Sequence, residues 1–112
     1  MAAKFEIKKA KNGQFMFNLK ASNGEIILTS EMYKKKGNCK KGIKSVRVNA
    51  RVHEHFKTLT AKNGEPYFVL RAGNNQVIGK SEMYSSTRSL ENGIRSVKQN
   101  APGATVADLT KA

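Results

Sequence analysis

The chain repeats itself. A shift of 51 residues lays one half on the other without a gap, and 20 of the 46 positions compared between residues 5–50 and 56–101 are identical. Lys11-Asn12-Gly13 falls on Lys62-Asn63-Gly64, and Ser30-Glu31-Met32-Tyr33 on Ser81-Glu82-Met83-Tyr84. Gly42-Ile43-Lys44-Ser45-Val46 falls on Gly93-Ile94-Arg95-Ser96-Val97. Self-similarity of this kind marks the duplication of one supersecondary unit. A unit of about 50 residues buries too little surface to be stable by itself, so the two units of this 112-residue chain are expected to share one core. The expected organisation is a single domain with repeat 1 over about 4–54 and repeat 2 over about 55–110.

Each unit parses alike. Phe5 to Ala10 alternates apolar and polar residues, and Asn12-Gly13 supplies a tight turn of the type I′ kind. Phe15, Phe17, Leu19 and Ala21 then recur at period two, which predicts a strand with one buried face. After Asn23-Gly24, residues Glu25 to Ser30 predict a third strand, and the second unit repeats the plan over 56–61, 65–72 and 76–81. Pro66 stands at a strand start, where proline is tolerated. Gly13, Gly24, Gly64 and Gly73 read as hairpin glycines.

A helix is predicted over about 36–49 and again over about 87–100. Cys39, Ile43, Val46 and Ala50, and Leu90, Ile94, Val97 and Ala101, fall at spacings of three and four. Ser86 or Thr87 would cap the second helix, where the first unit offers only Lys35; Asn49 and Asn100 would end the helices in left-handed geometry. Gly42 and Gly93 sit mid-helix at a cost of about 1 kcal/mol each relative to alanine, and their recurrence predicts close approach of helix to sheet. Arg51–His55 and Thr105–Leu109 predict a short extended piece after each helix. The fold class is α+β: two tandem β-β-β-α-β units forming one antiparallel sheet, with both helices on one face in pseudo-twofold arrangement.

These residues resemble the YegP-like family of small bacterial proteins of unknown function. The likeness rests on Lys4-Phe5-Glu6, the Asn-Gly turns, Phe17-Asn18-Leu19-Lys20-Ala21, Ser-Glu-Met-Tyr before each helix, and the Gly-Ile-x-Ser-Val stretch within it. It implies units that occur in tandem or as dimers, one shared sheet, and last strands swapped between units. It brings no catalytic residue or ligand. The chain departs from the pattern in its lysine-rich first helix, where Lys35 also stands in place of a serine-like cap.

Composition narrows the classes of function. There are 21 basic residues against 8 acidic, a formal charge of +13, which favours nucleic acid, anionic lipid or acidic proteins as partners. Residues 1–50 carry +9 of that charge. No apolar run approaches the ~18 residues of a membrane span, the start Met1-Ala2-Ala3-Lys4 does not read as a signal peptide, and Cys39 is the only cysteine. A cytoplasmic protein with no membrane role and no intramolecular disulfide is expected.

The sharpest candidate site is the first helix, where Lys36, Lys40, Lys44 and Arg47 lie on one side with Lys34, Lys35 and Lys41 nearby. Such a stripe can neutralise a row of phosphates, although charge runs are commonly solvated faces and the aligned Thr87, Glu91, Arg95 and Lys98 do not repeat it. A second candidate is the sheet face turned from the helices: Met16, Asn18 and Lys20, with counterparts Tyr67, Val69 and Arg71, and Lys8, Lys57, Ile26 and Val77 nearby. Basic and aromatic sheet faces stack bases and track phosphates, but Tyr67 is the only aromatic here.

The repeated Ser-Glu-Met-Tyr has no positioned histidine and reads as scaffold: tyrosine packed over the strand-to-helix corner, glutamate accepting donors there. His53-x-His55 would place two imidazoles on one face of a strand, but with Cys39 they make a poor zinc set, and no metal or other cofactor is expected. Asp108 is the only aspartate, which excludes paired-aspartate chemistry. The expectation is a non-catalytic module binding a polyanion, nucleic acid first, through Lys36, Lys40, Lys44, Arg47, Lys20, Tyr67 and Arg71. A protein-interaction or structural stress-accessory module is the alternative, an enzyme stands last, and monomer and homodimer are both left open.

Overall fold

The computed structural model describes residues 3–110. The strands are β1 (Lys4–Lys9), β2 (Phe15–Lys20), β3 (Ile26–Ser30), β4 (Phe56–Thr60), β5 (Pro66–Arg71), β6 (Val77–Lys80) and β7 (Thr105–Asp108). The helices are α1 (Lys36–Asn49) and α2 (Thr87–Asn100). All seven strands form one sheet in the order β4-β5-β6-β3-β2-β1-β7. Apart from β7, the order reads the same from either end when the units are exchanged. The middle of the sheet is the antiparallel β3–β6 pair, in which Thr29 faces Lys80, its own equivalent in the repeat.

The sheet is mixed, not antiparallel throughout. β7 lies parallel to β1, pairing Thr105 with Lys4 and Val106 with Phe5. The chain reaches that edge from α2, so a segment of the second unit covers the first. The expected counterpart after α1 is not a strand: His53–His55 form a 3₁₀ turn, and the chain runs straight into β4. Residues that would lie beside β4 are consumed in leading into it.

One core holds both units. Phe5, Ile7, Phe17, Leu19, Leu28, Phe68 and Leu70 from the sheet meet Cys39, Val46 and Val97 from the helices, all fully buried. Since Phe5 pairs with Leu19, Ile7 with Phe17 and Phe56 with Leu70, these residues share one face by the period of the strand. α1 packs on β2, β5 and β6, and α2 on β3 and β5, so each helix bridges both halves. The helix stripes read from the sequence are buried, including Cys39 in the position of Leu90, while in the stripe of the second strand Phe17 and Leu19 are buried and Phe15 and Ala21 partly so.

Several local details differ from expectation. The hairpin at Ala10–Gln14 is not a type I′ turn, because Gly13 has positive φ and Asn12 does not. Asn12 Oδ1 instead accepts from the Gln14 amide at 3.0 Å, an interaction that Asn23, Asn63 and Asn74 repeat. In the last hairpin Asn75, φ 69°, takes the left-handed place, not Gly73. Asn49 and Asn100 remain right-handed or helical. Their side-chain amides donate to the Ser45 and Ser96 carbonyls at 2.8 and 2.7 Å, which satisfies acceptors near the helix ends. Ser86 caps α2 by accepting from Ser89 N, whereas Lys35 gives α1 no side-chain cap.

Candidate functional site

The Ser-Glu-Met-Tyr corners are tied to the backbone by hydrogen bonds. Ser30 Oγ accepts from Phe17 N at 2.8 Å and donates to the Glu31 carbonyl at 2.7 Å; Ser81 does the same with Phe68 N and the Glu82 carbonyl. Both hydroxyls are thereby spent on backbone. The expected role of the glutamates is corrected: their side chains are exposed, and it is their backbone carbonyls that accept. Tyr33 stacks on Phe17 with ring centroids 6.5 Å apart, and Tyr84 on Phe68 at 6.2 Å. Burial pushes both phenols above their ordinary pKa.

The two histidines are on a 3₁₀ turn, not on an extended strand, and they diverge. Lys98 Nζ donates to His53 Nδ1 at 2.8 Å, while His55 Nδ1 bonds to Asn49 Oδ1 at 2.7 Å. Asn49 spends its amide nitrogen on Ser45, so His55 is the donor. Among the described residues no three histidine, cysteine or acidic side chains gather as a metal would need. The Cys39 thiol is buried and pushed up to about 11, by burial first and by the charge of Asp108 second. It is a packed apolar group and a poor nucleophile.

The basic stripe of α1 divides into two kinds of side chain. Lys36 Nζ pairs with Asp108 Oδ2 at 3.0 Å and lies 5.8 Å from the Phe15 ring centre. Arg47 Nη2 donates to the Ala104 carbonyl, its guanidinium lies over Phe5, and its buried Nε has no partner. These two residues clamp β7 at its two ends. Hydrogen bonds from the Thr110 hydroxyl, Lys36 and the Thr110 amide hold the Asp108 carboxyl far below the usual carboxylate range.

Lys40, Lys41 and Lys44 are exposed, with no carboxylate partner among the described residues. They rim a groove of about 430 Å³ between α1 and β7, with Ile43 and Val106 on its apolar wall and Arg47 at its end. Val106, on the four-residue β7, lines the groove and is 46% exposed. Lys41 belongs to this group as fully as Lys40 and Lys44 do. Sequence periodicity could not single it out, since it depends on where β7 comes to rest.

The open sheet face carries the other candidates. Lys20, Lys4 and Lys8 surround Glu6 at 3.1, 3.3 and 3.9 Å. Burial pushes the Glu6 carboxyl up, but hydrogen bonds and charge from Lys20 and Lys4 outweigh it, and the net shift is downward. One carboxylate therefore holds three lysines on this half of the face, which keeps a net positive charge. In the other half Lys80 Nζ sits 5.0 Å over the Tyr67 ring, and Arg71 has its Nε buried without a partner. Lys20, Tyr67 and Arg71 thus lie on the face opposite Lys40 and Lys44, and the fold does not bring the seven candidate residues into one surface.

A mixed seven-stranded sheet with a twofold plan and two helices on one face, its repeated polar motif used up in corner hydrogen bonds, defines a small duplicated α+β protein. The family described as "Domain of unknown function (DUF1508)" matches it twice, over residues 10–55 and 61–108, and the chain belongs to this family of YegP-like proteins. It is 53% identical over 110 residues to a UPF0339 protein of Acinetobacter baylyi, covering 98% of this chain and 99% of that one. It is 54% identical over 106 residues to the UPF0339 protein YegP of Yersinia pestis, covering 95% of each.

Two solution structures share the fold. The protein of unknown function YegP from E. coli matches with a TM-score of 0.93 at 50% identity, over 100% of this chain and 97% of that one. A UPF0339 protein from Shewanella oneidensis matches with a TM-score of 0.91 at 48% identity, over 97% and 92%. The relatives carry no stated activity. Among the described residues no helix is long and apolar enough to cross a membrane.

Proposed function

We propose that this protein is a non-catalytic binding module for a polyanion, nucleic acid in the first instance, and that the α1–β7 groove is where the ligand sits. One observation carries the reading: three lysines, Lys40, Lys41 and Lys44, are exposed and have no carboxylate partner among the described residues, around a groove with an apolar wall. Phosphates neutralised by Lys40, Lys41 and Lys44 release counterions, while Ile43 and Val106 offer a surface for the sugar or base edge. The remaining candidates have other duties in this proposal. Lys36 and Arg47 hold β7, Lys20 holds Glu6, and Tyr67 with Arg71 forms a weaker contact on the opposite face. The pairing of β7 with β1 supports reading the C-terminal strand as lent by the second unit to the first, which makes the groove a product of the duplication.

Fluorescence anisotropy with labelled single- and double-stranded RNA and DNA tests the reading. The expected result is binding that weakens with salt, with a logarithmic slope of about −2 to −3 for three phosphates engaged. The triple variant Lys40→Gln, Lys41→Gln, Lys44→Gln should lose it. A protein-interaction module, by contrast, gives no binding at low salt to any of the four nucleic acids.

A further inference from the structure

The two ends of the sheet should be equivalent by the repeat, and they are not. On β1 the core-facing Phe5 and Ile7 are fully buried because β7 lies beside them. Their counterparts on β4 are Phe56, half-buried, and Thr58, exposed. The amides of Thr105 in β7 and of Leu109 just after it donate to the Ala3 and Ile7 carbonyls at 3.3 and 3.0 Å, so Ile7 presents its backbone to the β7 side. Alternation along the strand gives Thr58 the same outward aim. The Ala61 amide, three residues on, bonds back to Glu65 across the hairpin, as that alternation requires.

Beside this bare edge is the counterpart of the α1–β7 groove: about 240 Å³ lined by Ile94, Arg95, Lys98, Glu91 and His53. The Lys98–His53 contact stands where Arg47 bonds Ala104, so the chain has already been brought to the start of the missing strand. Among the described residues only the strand itself is absent. β4 has no proline and no register shift to blunt it, and it contains Thr58 and Thr60, residues suited to pairing.

We propose that the β4 edge is a docking site for an extended, acidic segment of a partner protein, added as a parallel strand in the way β7 adds to β1. The register of β7 says what fits. An apolar residue in the place of Val106 would lie against Phe56 and Ile94. The next residue, in the place of Ala107, would stand beside Lys57, because Lys57 is the counterpart of Glu6 and Glu6 pairs with Ala107. A carboxylate there gains a cross-strand partner, and on the helix side of the added strand Arg95 and Lys98 outnumber the single Glu91, which favours acidic residues on that side too. A second copy of this chain is disfavoured as occupant. It carries +13, and lending its β7 would strip its own β1 edge.

The test uses the full chain, isotopically labelled, with hexapeptide probes followed by amide shifts. One probe has the sequence of residues 105–110, Thr-Val-Ala-Asp-Leu-Thr, and a second carries Ala107→Glu. The expected result is shifts at Thr58, Thr60 and the β5 residues behind them, with the glutamate probe several-fold tighter. Lys57→Glu should reverse that preference in favour of an Ala107→Lys probe. Thr58→Pro, which removes an outward amide not used in the β4–β5 ladder, should weaken binding about tenfold. Should Thr58→Pro fail to fold, the charge reversal at exposed Lys57 decides the matter alone. No shifts at β4 with millimolar peptide, shifts confined to β1 and β7, or a dimer that pairs through β4 without peptide would each overturn the proposal.

Discussion

Gly42 and Gly93 make the strongest case that single residues here serve the packing of a tyrosine. A Cβ on Gly42 would lie 2.8 Å from Tyr33 Cζ and 3.1 Å from Phe17 Cε2; one on Gly93 would lie 2.6 Å from Tyr84 Cζ. The ring cannot simply swing away, because it is stacked on Phe17 or Phe68. Gly42→Ala should therefore destabilise by about 1 kcal/mol or more in urea unfolding, overpacking outweighing the gain in helix propensity. Gly37, in the first turn of α1, has nothing within 4 Å of a Cβ, so Gly37→Ala should stabilise by up to about 1 kcal/mol. If both substitutions stabilised, the account of the corner would be wrong. The close approach was legible in the recurrence of the two glycines. Its cause was not, since tyrosine and glycine sit on different elements and meet only once the corner folds.

At the level of elements, β7 and the β3–β6 seam determine the asymmetry of the molecule. Asp108 anchors β7, and its carboxyl has a pKa lowered by Thr110 and Lys36. A carboxyl with a lowered folded pKa adds stability above its unfolded value of about 3.9, and that stability is lost as pH falls toward the folded value. Glu6 acts in the same direction. Urea midpoints should thus fall as the pH drops below about 5, and Asp108→Asn should flatten part of that fall; an unchanged slope would refute the anchoring role. At the seam, Leu28 fills the space beside Gly79, its own counterpart, where a Cβ would come within 2.6 Å of Leu28 Cδ2. Leu28→Ala should cost about 2–5 kcal/mol, read from the urea midpoint. Strand and helix spans were legible from period and from the repeat. The parallel run of β7 and the turn at His53–His55 were not, because both depend on which sheet edge each segment can reach, a choice made by tertiary geometry.

For the molecule as a whole, duplication yields two sheet ends that have diverged: one covered by β7 and bordered by lysines, the other without a neighbouring strand among the described residues. Net charge was legible in the composition, but its division was not. Lys36, Arg47, Lys4, Lys8 and Lys20 are drawn to Asp108, Ala104 and Glu6, whereas Lys40, Lys41 and Lys44 are left facing solvent. That separation of structural from available charge is the central claim, and paired variants test it most directly. Anisotropy titration of labelled single-stranded RNA should be compared for Lys40→Gln/Lys41→Gln/Lys44→Gln and for Lys4→Gln/Lys8→Gln/Lys20→Gln, which remove the same formal charge. The account predicts that the first variant loses binding and most of the salt slope, while the second stays within a few-fold of the unsubstituted chain. Equal losses in the two would mean that only net charge matters and that the groove is not a site.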